Sequence, residues 1–329
     1  MNETCYEAFR ELLSMDDVLI LVHRNPDGDC LGTAFALKRA FENLGRRVCV
    51  AATGTVDRNL RDITDGAEEL KPRFLPSVIV TVDVATQQML GPDLADYADY
   101  IDYNIDHHCT NTEYARTNIV NGSASSAGEV LFDLFAACNV EIDDVIAEKL
   151  YAAISFDTGC FRYSNTSAHT HEVTAALMKY NFDAPAVVRK MFDIVPLRQL
   201  KMERAALDAL HLYRDGSVVL LPITREMLEE NGALDEDVAG MVALIRRIEG
   251  AAVCATLKET KEGDVKVSLR SADDVFDVSA VAAVFGGGGH VKASGCLIKD
   301  NIERAEARLL AAIEARMDGE ETNNDSPCR

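Results

Sequence analysis

Short apolar runs alternate with amphipathic stretches through the first half of the chain. Residues 31–44 show helical periodicity, and Gly45 is a typical residue for a helix end. From about Ser125 to Tyr213 the pattern is largely helical. Runs with the length and β-branched content of buried strands cover residues 18–23, 47–52, 77–82 and 100–105. Strands that alternate with helices are typical of a mainly parallel sheet flanked by helices, so we predict an α/β fold.

The pattern changes after about residue 213. Residues 251–258 and 265–270 alternate like a hairpin around Glu262-Gly263-Asp264, and residues 217–222 are also strand-like. A short helix over 277–285 precedes the run GGGGH, a strand over 293–298 and a helix over 301–317. These elements predict a smaller second α/β domain. We divide the chain into a first domain (1–187), a helical linker (188–212), a second domain (213–317) and a disordered tail (318–329).

The charge limits the possible partners. The chain has 329 residues with 33 Lys and Arg against 54 Asp and Glu, a net charge of −21. Binding to long nucleic acid depends on Lys and Arg, so a long polymer is a poor candidate partner. Small phosphorylated ligands remain compatible with this charge if divalent ions or a local basic cluster reverse its sign at one site.

The apolar runs and the cysteines indicate a compartment. No run approaches the roughly 18 apolar residues of a membrane span, and the acidic start MNETCYEAFRELL lacks the basic region of a signal peptide. The nine cysteines are odd in number and form no CxxC pair, which favours reduced thiols over disulfides or a zinc site. We therefore expect a cytoplasmic protein without a membrane partner.

Acidic and imidazole side chains recur where the predicted strands and one helix end. They are His23, Asp27 and Asp29 in HRNPDGD, then Asp83, then Asp106, His107 and His108 in IDHH, and finally Asp157 in SFDTG. Each piece alone has a structural interpretation, since aspartates are common in turns and at helix caps. In open α/β sheets, however, ligands bind at the carboxyl ends of the strands. Together the four segments therefore favour one functional site.

The residue types indicate metal chemistry. Carboxylates and imidazoles without thiolate suit Mn²⁺, Mg²⁺, Fe²⁺ or Co²⁺ better than a structural zinc. Two such ions about 3.5–4 Å apart would activate a hydroxide for in-line attack on a phosphorus atom. The ions would also remove the repulsion within the acidic cluster.

The second domain has candidate phosphate ligands of its own. The glycines 286–289 would let a phosphate approach backbone N–H groups. Arg270 can bind a phosphate with two hydrogen bonds, and His290 can add a donor. A flexible linker is the alternative for the glycine run, although the flanking helix and strand argue against it. Arg116 is a weaker candidate for a phosphate contact, and an exposed solubilising arginine is an equal alternative.

The stretches HRNPDGD, TVD, DHH and SFDTG, in this order, resemble the motifs of the DHH phosphoesterase superfamily. VSLRS and GGGGH followed by SGC resemble its DHH-associated C-terminal domain. The resemblance extends to about residue 317, and the arrangement is most similar to the bacterial nanoRNase and pAp phosphatase group. It implies two ions, with Mn²⁺ as the first choice. One would be held by His23, Asp27 and Asp83, and the other by Asp29, Asp83, His107 and Asp157.

The resemblance also implies further roles. Asp106 would support the cluster and orient a histidine ligand, while His108 would contact the scissile phosphate or protonate the leaving oxygen. Arg270, Gly288, Gly289 and His290 would contact the terminal phosphate and base of the substrate. A cleft between the domains would then select short substrates, and a homodimer is expected from the habit of the family.

The expected activity is hydrolysis of RNA fragments of a few nucleotides to mononucleotides, together with conversion of pAp to AMP and phosphate. The first alternative is a phosphodiesterase for cyclic or linear dinucleotides. A catalytically dead nucleotide-binding module is a more distant alternative, because none of the six ligand positions is missing.

Overall fold

The computed structural model describes residues 1–67, 69–272 and 276–324, with side chains up to residue 318. The chain divides into two compact units, Met1–Ile194 and Val195–Arg329. Within the described residues, no helix is long and apolar enough to cross a membrane.

The first unit is built on a parallel sheet. Its strands are β1 (Val18–Leu21), β2 (Val48–Ala51), β3 (Val78–Val82), β4 (Tyr103–Asp106) and β5 (Thr117–Val120), in the order β2-β1-β3-β4-β5. Its helices are α1 (Glu3–Leu13), α2 (Gly28–Asn43), α3 (Ala127–Ala137), α4 (Asp144–Asp157), α5 (Ala168–Leu177) and α6 (Ala184–Val188). Short 3-10 helices cover Arg58–Leu60, Gln87–Leu90 and Pro92–Tyr100, and a π-helical turn covers Arg189–Asp193.

Both faces of this sheet are covered, as the continuous apolar strands predicted. In β1, Val18 and Ile20 face the core beneath α2, α3 and α4, while Leu19 and Leu21 face a second apolar layer. The parallel α/β architecture is confirmed. The predicted strand at 100–105 begins only at Tyr103, because the residues before it form a 3-10 helix.

Small residues bring three helices of the first unit close together. A Cβ atom on Gly32 of α2 would lie 2.5 Å from the backbone oxygen of Lys149 in α4. A Cβ atom on Gly128 of α3 would lie 2.6 Å from Cβ of Ala153. Neither contact tolerates a side chain. The N-termini of α2 and α3 and the C-terminal half of α4 therefore pack closely.

The second unit is built on a mixed sheet. Its strands are β6 (His211–Tyr213), β7 (Val218–Ile223), β8 (Val253–Glu259), β9 (Val265–Ser271), β10 (Gly288–His290) and β11 (Ala293–Ile298), in the order β10-β11-β9-β8-β7-β6. All neighbours are antiparallel except β7 and β8. Its helices are α7 (Leu197–Asp208), α8 (Arg225–Asn231), α9 (Met241–Ile245), α10 (Val278–Val284) and α11 (Ile302–Asn324).

The β8–β9 hairpin agrees with the sequence prediction, and apolar layers cover both faces of this sheet. Helix α11 continues past the predicted end at residue 317, and residues 325–329 of the predicted tail lie outside the described residues.

Candidate metal centre

The turn after β1 presents two carboxylates in different ways. Asp27 caps α2: its Oδ1 accepts hydrogen bonds from the backbone N–H groups of Asp29 (3.0 Å) and Cys30 (3.1 Å). The other oxygen, Oδ2, lies 3.7 Å from Nε2 of His23. The cap fixes the carboxylate, and one oxygen is left facing the imidazole.

Asp29 is almost completely buried, at 1% exposure. Its Oδ1 accepts hydrogen bonds from Thr33 Oγ1 (3.1 Å) and from the backbone N–H of Gly128 (3.0 Å). Its Oδ2 accepts one from the backbone N–H of Ala127 (2.7 Å). These two N–H groups belong to the first turn of α3, where the helix dipole stabilises a negative charge. Asp29 Oδ2 also lies 3.7 Å from Nε2 of His107.

Asp83 lies between two imidazoles. It follows β3 with a left-handed backbone (φ 57°), which aspartate tolerates better than most residues. Its Oδ2 is 3.7 Å from Nε2 of His23, and its Oδ1 is 3.5 Å from Nε2 of His107. Oδ1 is buried and has no hydrogen-bond partner in the described structure. A buried carboxylate oxygen without a partner is costly unless something else binds it.

The two histidines after β4 are held by different groups. Asp106, which is fully buried, accepts hydrogen bonds at Oδ1 from the backbone N–H of His107 (2.9 Å) and from Nδ1 of His108 (2.7 Å). Nδ1 of His107 instead lies 3.4 Å from the carbonyl oxygen of Ala124. The expectation that Asp106 orients the side chain of a histidine ligand is therefore wrong for His107. Asp106 orients His108, and Ala124 turns Nε2 of His107 towards the carboxylates.

Asp157 completes this cluster from the last residue of α4. Its Oδ2 lies 3.7 Å from Nε2 of His107. The side-chain amide of Asn165 donates to this oxygen (3.1 Å), to the Asp157 carbonyl (3.1 Å) and to the carbonyl of Ser125 (2.9 Å). Asn165 thus connects the end of α4 with the loop before α3.

The donor atoms form three overlapping groups that could each hold a metal ion. Within each group the ligand atoms lie within 4.8 Å of one another. The groups are His23, Asp27, Cys30 and Asp83; Asp29, His107 and Asp157; and Asp83, His107 and His108. The structure therefore brings together all six predicted ligands. Asp83 is close to both predicted histidine ligands, His23 and His107.

The carboxylates of the site are electrostatically unbalanced. Burial raises the pKa of Asp29 to about 7, and the neighbouring charges of Asp157 and Asp27 contribute. Burial, followed by the charges of Asp29 and Asp27, raises the pKa of Asp83 well above its usual range. Burial also raises the pKa of Asp157. A bound cation would reverse these shifts, so the donor set fits divalent ions.

The pKa values of two other carboxylates of the site, Asp27 and Asp106, are lowered. Burial acts to raise the pKa of Asp27, but the hydrogen bond and charge of His23 outweigh it and lower the pKa. Burial likewise opposes the effect of His108 on Asp106, whose pKa is lowered. The hydrogen bond from His108 to Asp106 raises the pKa of His108. Asp106 and His108 thus form a charge-complementary pair.

Three cysteines lie in the segments that carry the predicted ligands. Burial raises the pKa of Cys30 well above its usual value and also raises the pKa of Cys160, which disfavours the reactive thiolate. Cys109 is exposed, and its Sγ donates to the carbonyl of Gly122 (3.3 Å).

In the second unit, Arg270 and His290 are arranged around Ala293. Ala293 of β11 pairs with Arg270 of β9 on one side and with His290 of β10 on the other. Residues paired directly across antiparallel strands point to the same face of a sheet. Arg270 and His290 therefore project from one face, about 10 Å apart across two strand spacings, with a small side chain between them.

The glycines before His290 form a strand edge rather than a linker. A Cβ atom on Gly287 would lie 2.2 Å from the carbonyl oxygen of Gly295. One on Gly289, which has φ +145°, would lie 2.5 Å from the carbonyl oxygen of Ala293. Gly288 has open space at its Cβ position. Gly287 and Gly289 are therefore required by the packing of β10 on β11, whereas Gly288 is not.

Arg116 does not lie at the metal centre. It precedes β5, and Val120 at the other end of this strand pairs with Asp106. Because β5 runs parallel to β4, Arg116 lies at the opposite edge of the sheet from the cluster. There its guanidinium contacts Asp102 (2.8 Å) and is largely exposed. Of the two interpretations of Arg116 from the sequence, the exposed arginine agrees with this position, and a phosphate contact at the metal centre does not.

Several residues that position the ligands were missed by sequence reasoning. The N-terminus of α3 follows SSAGE, in which Ser126 caps the backbone N–H of Glu129 (3.0 Å). Ser-x-x-Glu before an apolar run is a helix-start signal, so this end could have been found. Asn111, Asn165 and Thr33 carry no comparable local signal.

Two family models match the chain. The model described as the DHH family, N-terminal domain, matches residues 17–154, and the model of the DHHA1 domain matches residues 216–319.

Named relatives match most of its length. The bifunctional oligoribonuclease and PAP phosphatase NrnA of Thermus thermophilus is 30% identical over 90% of this chain and 89% of its own. The probable bifunctional oligoribonuclease and PAP phosphatase NrnA of Streptococcus mutans is 28% identical over 88% of this chain and 93% of its own.

A solved structure has the same fold. It is an exopolyphosphatase-related protein from Bacteroides fragilis, with a TM-score of 0.89 and 23% identity over 97% of this chain and 98% of that one.

Proposed function

This chain belongs to the DHH family, and on that premise we propose that it is a metal-dependent phosphoesterase that hydrolyses short RNA oligonucleotides to mononucleotides and pAp to AMP and phosphate. Two relatives that match about nine-tenths of the chain carry names for both activities. In each reaction, water adds to phosphorus, the bond from phosphorus to the ribose 3′-oxygen breaks, and that oxygen takes up a proton.

The position of Asp83 supports the proposal more than any other observation. Its two oxygens face His23 and His107, at 3.7 and 3.5 Å, and one of them is buried without a hydrogen bond. A carboxylate with this placement is suited to bridge two ions. We assign His23 and Asp27 to the first ion, and Asp29, His107 and Asp157 to the second.

Mn²⁺ is our first choice for both ions, with Mg²⁺, Fe²⁺ or Co²⁺ as alternatives, since the ligands are carboxylates and imidazoles. When bound, they would polarise the phosphoryl oxygens and lower the pKa of the attacking water. The role of the protein is to hold the ligands. The first turn of α3 orients Asp29, the Ala124 carbonyl orients His107, and Asn165 orients Asp157.

We assign His108 to the scissile phosphate and the leaving oxygen. Its Nδ1 is bonded to Asp106 at 2.7 Å, which leaves Nε2 for the substrate. The side chain is about one-third exposed (35%), so a ligand can reach it. Because Asp106 stabilises the protonated ring, His108 can donate a hydrogen bond or a proton from Nε2.

The second unit would bind the part of the substrate that does not react. Arg270 and His290 share one face of the sheet and offer donors for a phosphate, and Gly288 leaves space for a ligand at the backbone of β10. Burial lowers the pKa of Arg270, as expected for a guanidinium held in a partly enclosed position. These assignments remain proposals that mutation can test.

The experiment that tests the function is a comparison of two substrates. The full chain is stripped of metal and reloaded with Mn²⁺, and kcat/KM is measured for a 5′-phosphorylated RNA dinucleotide and for pAp. Asp83→Ala serves as the blank, since it removes the carboxylate assigned to both ions. Hydrolysis of either substrate above the blank supports the proposal, and the ratio ranks the two activities.

Absence of hydrolysis of both substrates would contradict the substrate assignment. A cyclic dinucleotide and its linear product would then be measured under the same conditions. Hydrolysis of these alone would identify the chain as a dinucleotide phosphodiesterase, with the same metal centre and a different substrate.

A further inference from the structure

Asn111 bonds the oxygen of Asp106 that His108 does not use. Its Nδ2 donates to Asp106 Oδ2 (2.5 Å) and to Asn104 Oδ1 (2.8 Å). Asp106 Oδ1 receives the backbone N–H of His107 and Nδ1 of His108. The fully buried carboxylate is therefore held by three donors, and Asn111 supplies the one on Oδ2.

Asn104, Asn111 and Asp106 form a chain of hydrogen bonds, and the orientation of each asparagine amide in it is fixed. The backbone N–H of Glu113 donates to Asn111 Oδ1 (2.7 Å), so the NH₂ group of Asn111 must face Asp106. The NH₂ group of Asn104 faces the carbonyl oxygen of Val84 (3.2 Å), so its Oδ1 must face Asn111. A backbone N–H can only donate and a carbonyl can only accept. Rotation of either amide by 180° would therefore break these bonds.

Asn104, at the far end of these hydrogen bonds from Asp106, lies in the interior of the sheet. Asn104 is fully buried on β4, and its NH₂ group also lies within 2.9 Å of Thr81 Oγ1 and 3.0 Å of the hydroxyl of Tyr114. The Tyr114 hydroxyl in turn donates to Thr81 Oγ1 or to the Val84 carbonyl (2.8 and 2.9 Å). Asn111 thus connects Asp106 to a rigid part of the fold.

His108 has a second carboxylate within reach. Asp83 Oδ1 lies 3.5 Å from the same Nδ1 that bonds Asp106 at 2.7 Å. Asp83 Oδ1 has no hydrogen-bond partner in the described structure, so a small rotation of His108 would give it one. Such a rotation would release Asp106 and occupy an oxygen that we assign to the ions.

We propose that Asn111 is a positioning residue that keeps the side chain of His108 hydrogen-bonded to Asp106 and prevents it from bonding Asp83. It does so by holding Asp106 through Oδ2, so that Oδ1 stays aligned with Nδ1 of His108. Nε2 of His108 then remains available to the substrate, and Asp83 remains available to the ions. The inference rests on the proposed phosphoester hydrolysis and adds a residue outside the set of ligands assigned above.

The first test is a pair of variants in the Mn²⁺-loaded full chain. Asn111→Leu removes the hydrogen-bond donor and keeps a side chain of similar size. If this variant does not fold, Asn111→Ala is used in its place. We expect kcat to fall about 10- to 100-fold, as for other residues that orient a reacting group, with KM within about threefold. The matched control is Asn118→Leu on the neighbouring strand, whose amide bonds the backbone of Ala115, with kcat expected within about twofold.

A double-mutant cycle separates positioning from general damage. If Asn111 acts through His108, its substitution in a His108→Ala background changes kcat by less than about twofold. An equal loss in both backgrounds would overturn the inference, because Asn111 would then act independently of His108.

A second readout does not depend on activity. In Mg²⁺-loaded protein with ¹⁵N-labelled histidine, the imidazole signals of His108 report which ring nitrogen carries the proton and the hydrogen bond. We expect the Nδ1 signal of His108 to have the same chemical shift in wild type and Asn118→Leu, and a different one in the Asn111 variant, because Nδ1 would there bond Asp83 or no group in place of Asp106. An unchanged shift in that variant would overturn the inference. If wild type hydrolyses neither substrate, the proposed function fails, and this spectrum still decides whether Asn111 fixes His108.

Discussion

The ring of Phe156 lies where a Cβ atom on Gly28 would stand, with Cδ2 and Cγ both 2.5 Å from that position. Phe156 directly precedes Asp157, and Gly28 lies between Asp27 and Asp29. This contact therefore packs the turn after β1 against the end of α4. The close approach of ligands from the two segments depends on a residue without a side chain.

Gly28→Ala is expected to weaken the metal centre. Since the added methyl group must displace a ring or the backbone, we expect a loss of about 1–3 kcal/mol in the free energy of unfolding. We also expect a fall in Mn²⁺ affinity. Urea unfolding and Mn²⁺ titration of metal-stripped protein measure the two effects. Gly240→Ala is the control, since its Cβ position is open. Equal Mn²⁺ affinity in Gly28→Ala and wild type would contradict the prediction.

Asp83→Asn is expected to abolish activity while the fold is retained. The amide is similar in size but lacks the charge that would bridge two ions. We expect a loss of at least about 1,000-fold in kcat, since the ions contribute several kcal/mol of transition-state stabilisation. Metal analysis should show fewer Mn²⁺ ions per chain than in wild type. The exposed Asp99→Asn should retain both properties, and full metal content in Asp83→Asn would argue against the bridging role.

The metal-free protein is expected to lose stability as the pH rises from about 4 to 7. Unfolded aspartate has a pKa of about 3.9, whereas burial raises the pKa of Asp29 to about 7. Between these values the folded state binds more protons than the unfolded state, so the free energy of unfolding falls with rising pH. The raised pKa values of Asp83 and Asp157 act in the same direction.

Urea unfolding in EDTA at several pH values measures this effect. Asp29→Asn removes one of the titrating groups, so its slope against pH should be shallower than that of wild type. With saturating Mn²⁺ the trend should weaken or reverse, because ions compete with protons for the carboxylates. Identical slopes for wild type and Asp29→Asn in EDTA would show that Asp29 is not protonated in the folded state.

Two glycine substitutions separate binding from folding in the second unit. Gly288→Ala meets nothing at its Cβ position, so stability should stay within about 0.5 kcal/mol of wild type. If the substrate approaches this backbone, KM should rise several-fold. Gly287→Ala would clash with the Gly295 carbonyl and should instead destabilise the protein. Unchanged KM in Gly288→Ala would place the substrate elsewhere.

The ligands could be predicted from the sequence because of a property of parallel sheets. The carboxyl ends of β1, β3 and β4 meet at one edge, so polar residues that follow these strands must converge. This applies to Asp27, Asp83 and His107, whose strands are marked by continuous apolar runs. Asp157 comes from a helix, and both the predicted end of that helix and the motif SFDTG indicated it.

The sequence did not predict the position of β5 or the residues that orient the ligands, because these depend on tertiary packing. β5 (TNIV) is short and half polar, so no apolar run marked it, and the sequence did not show that Arg116 lies at the opposite end of the strands from the cluster. The carboxylate of Asp106 bonds His108 rather than the side chain of His107, a choice set by side-chain directions that spacing does not encode. Asn111 and Asn165 are ordinary loop residues by sequence, and only their partners reveal their roles.

The ligands of the candidate centre come from four separate segments, beginning at His23 and ending at Asp157. During synthesis on the ribosome, the early segments emerge long before α4 does. The nascent chain therefore cannot assemble both ion sites until α4 has been made, although the ligands assigned to the first ion are all present once Asp83 has emerged. Capture of the second ion would thus come late and mark a first unit that has finished folding.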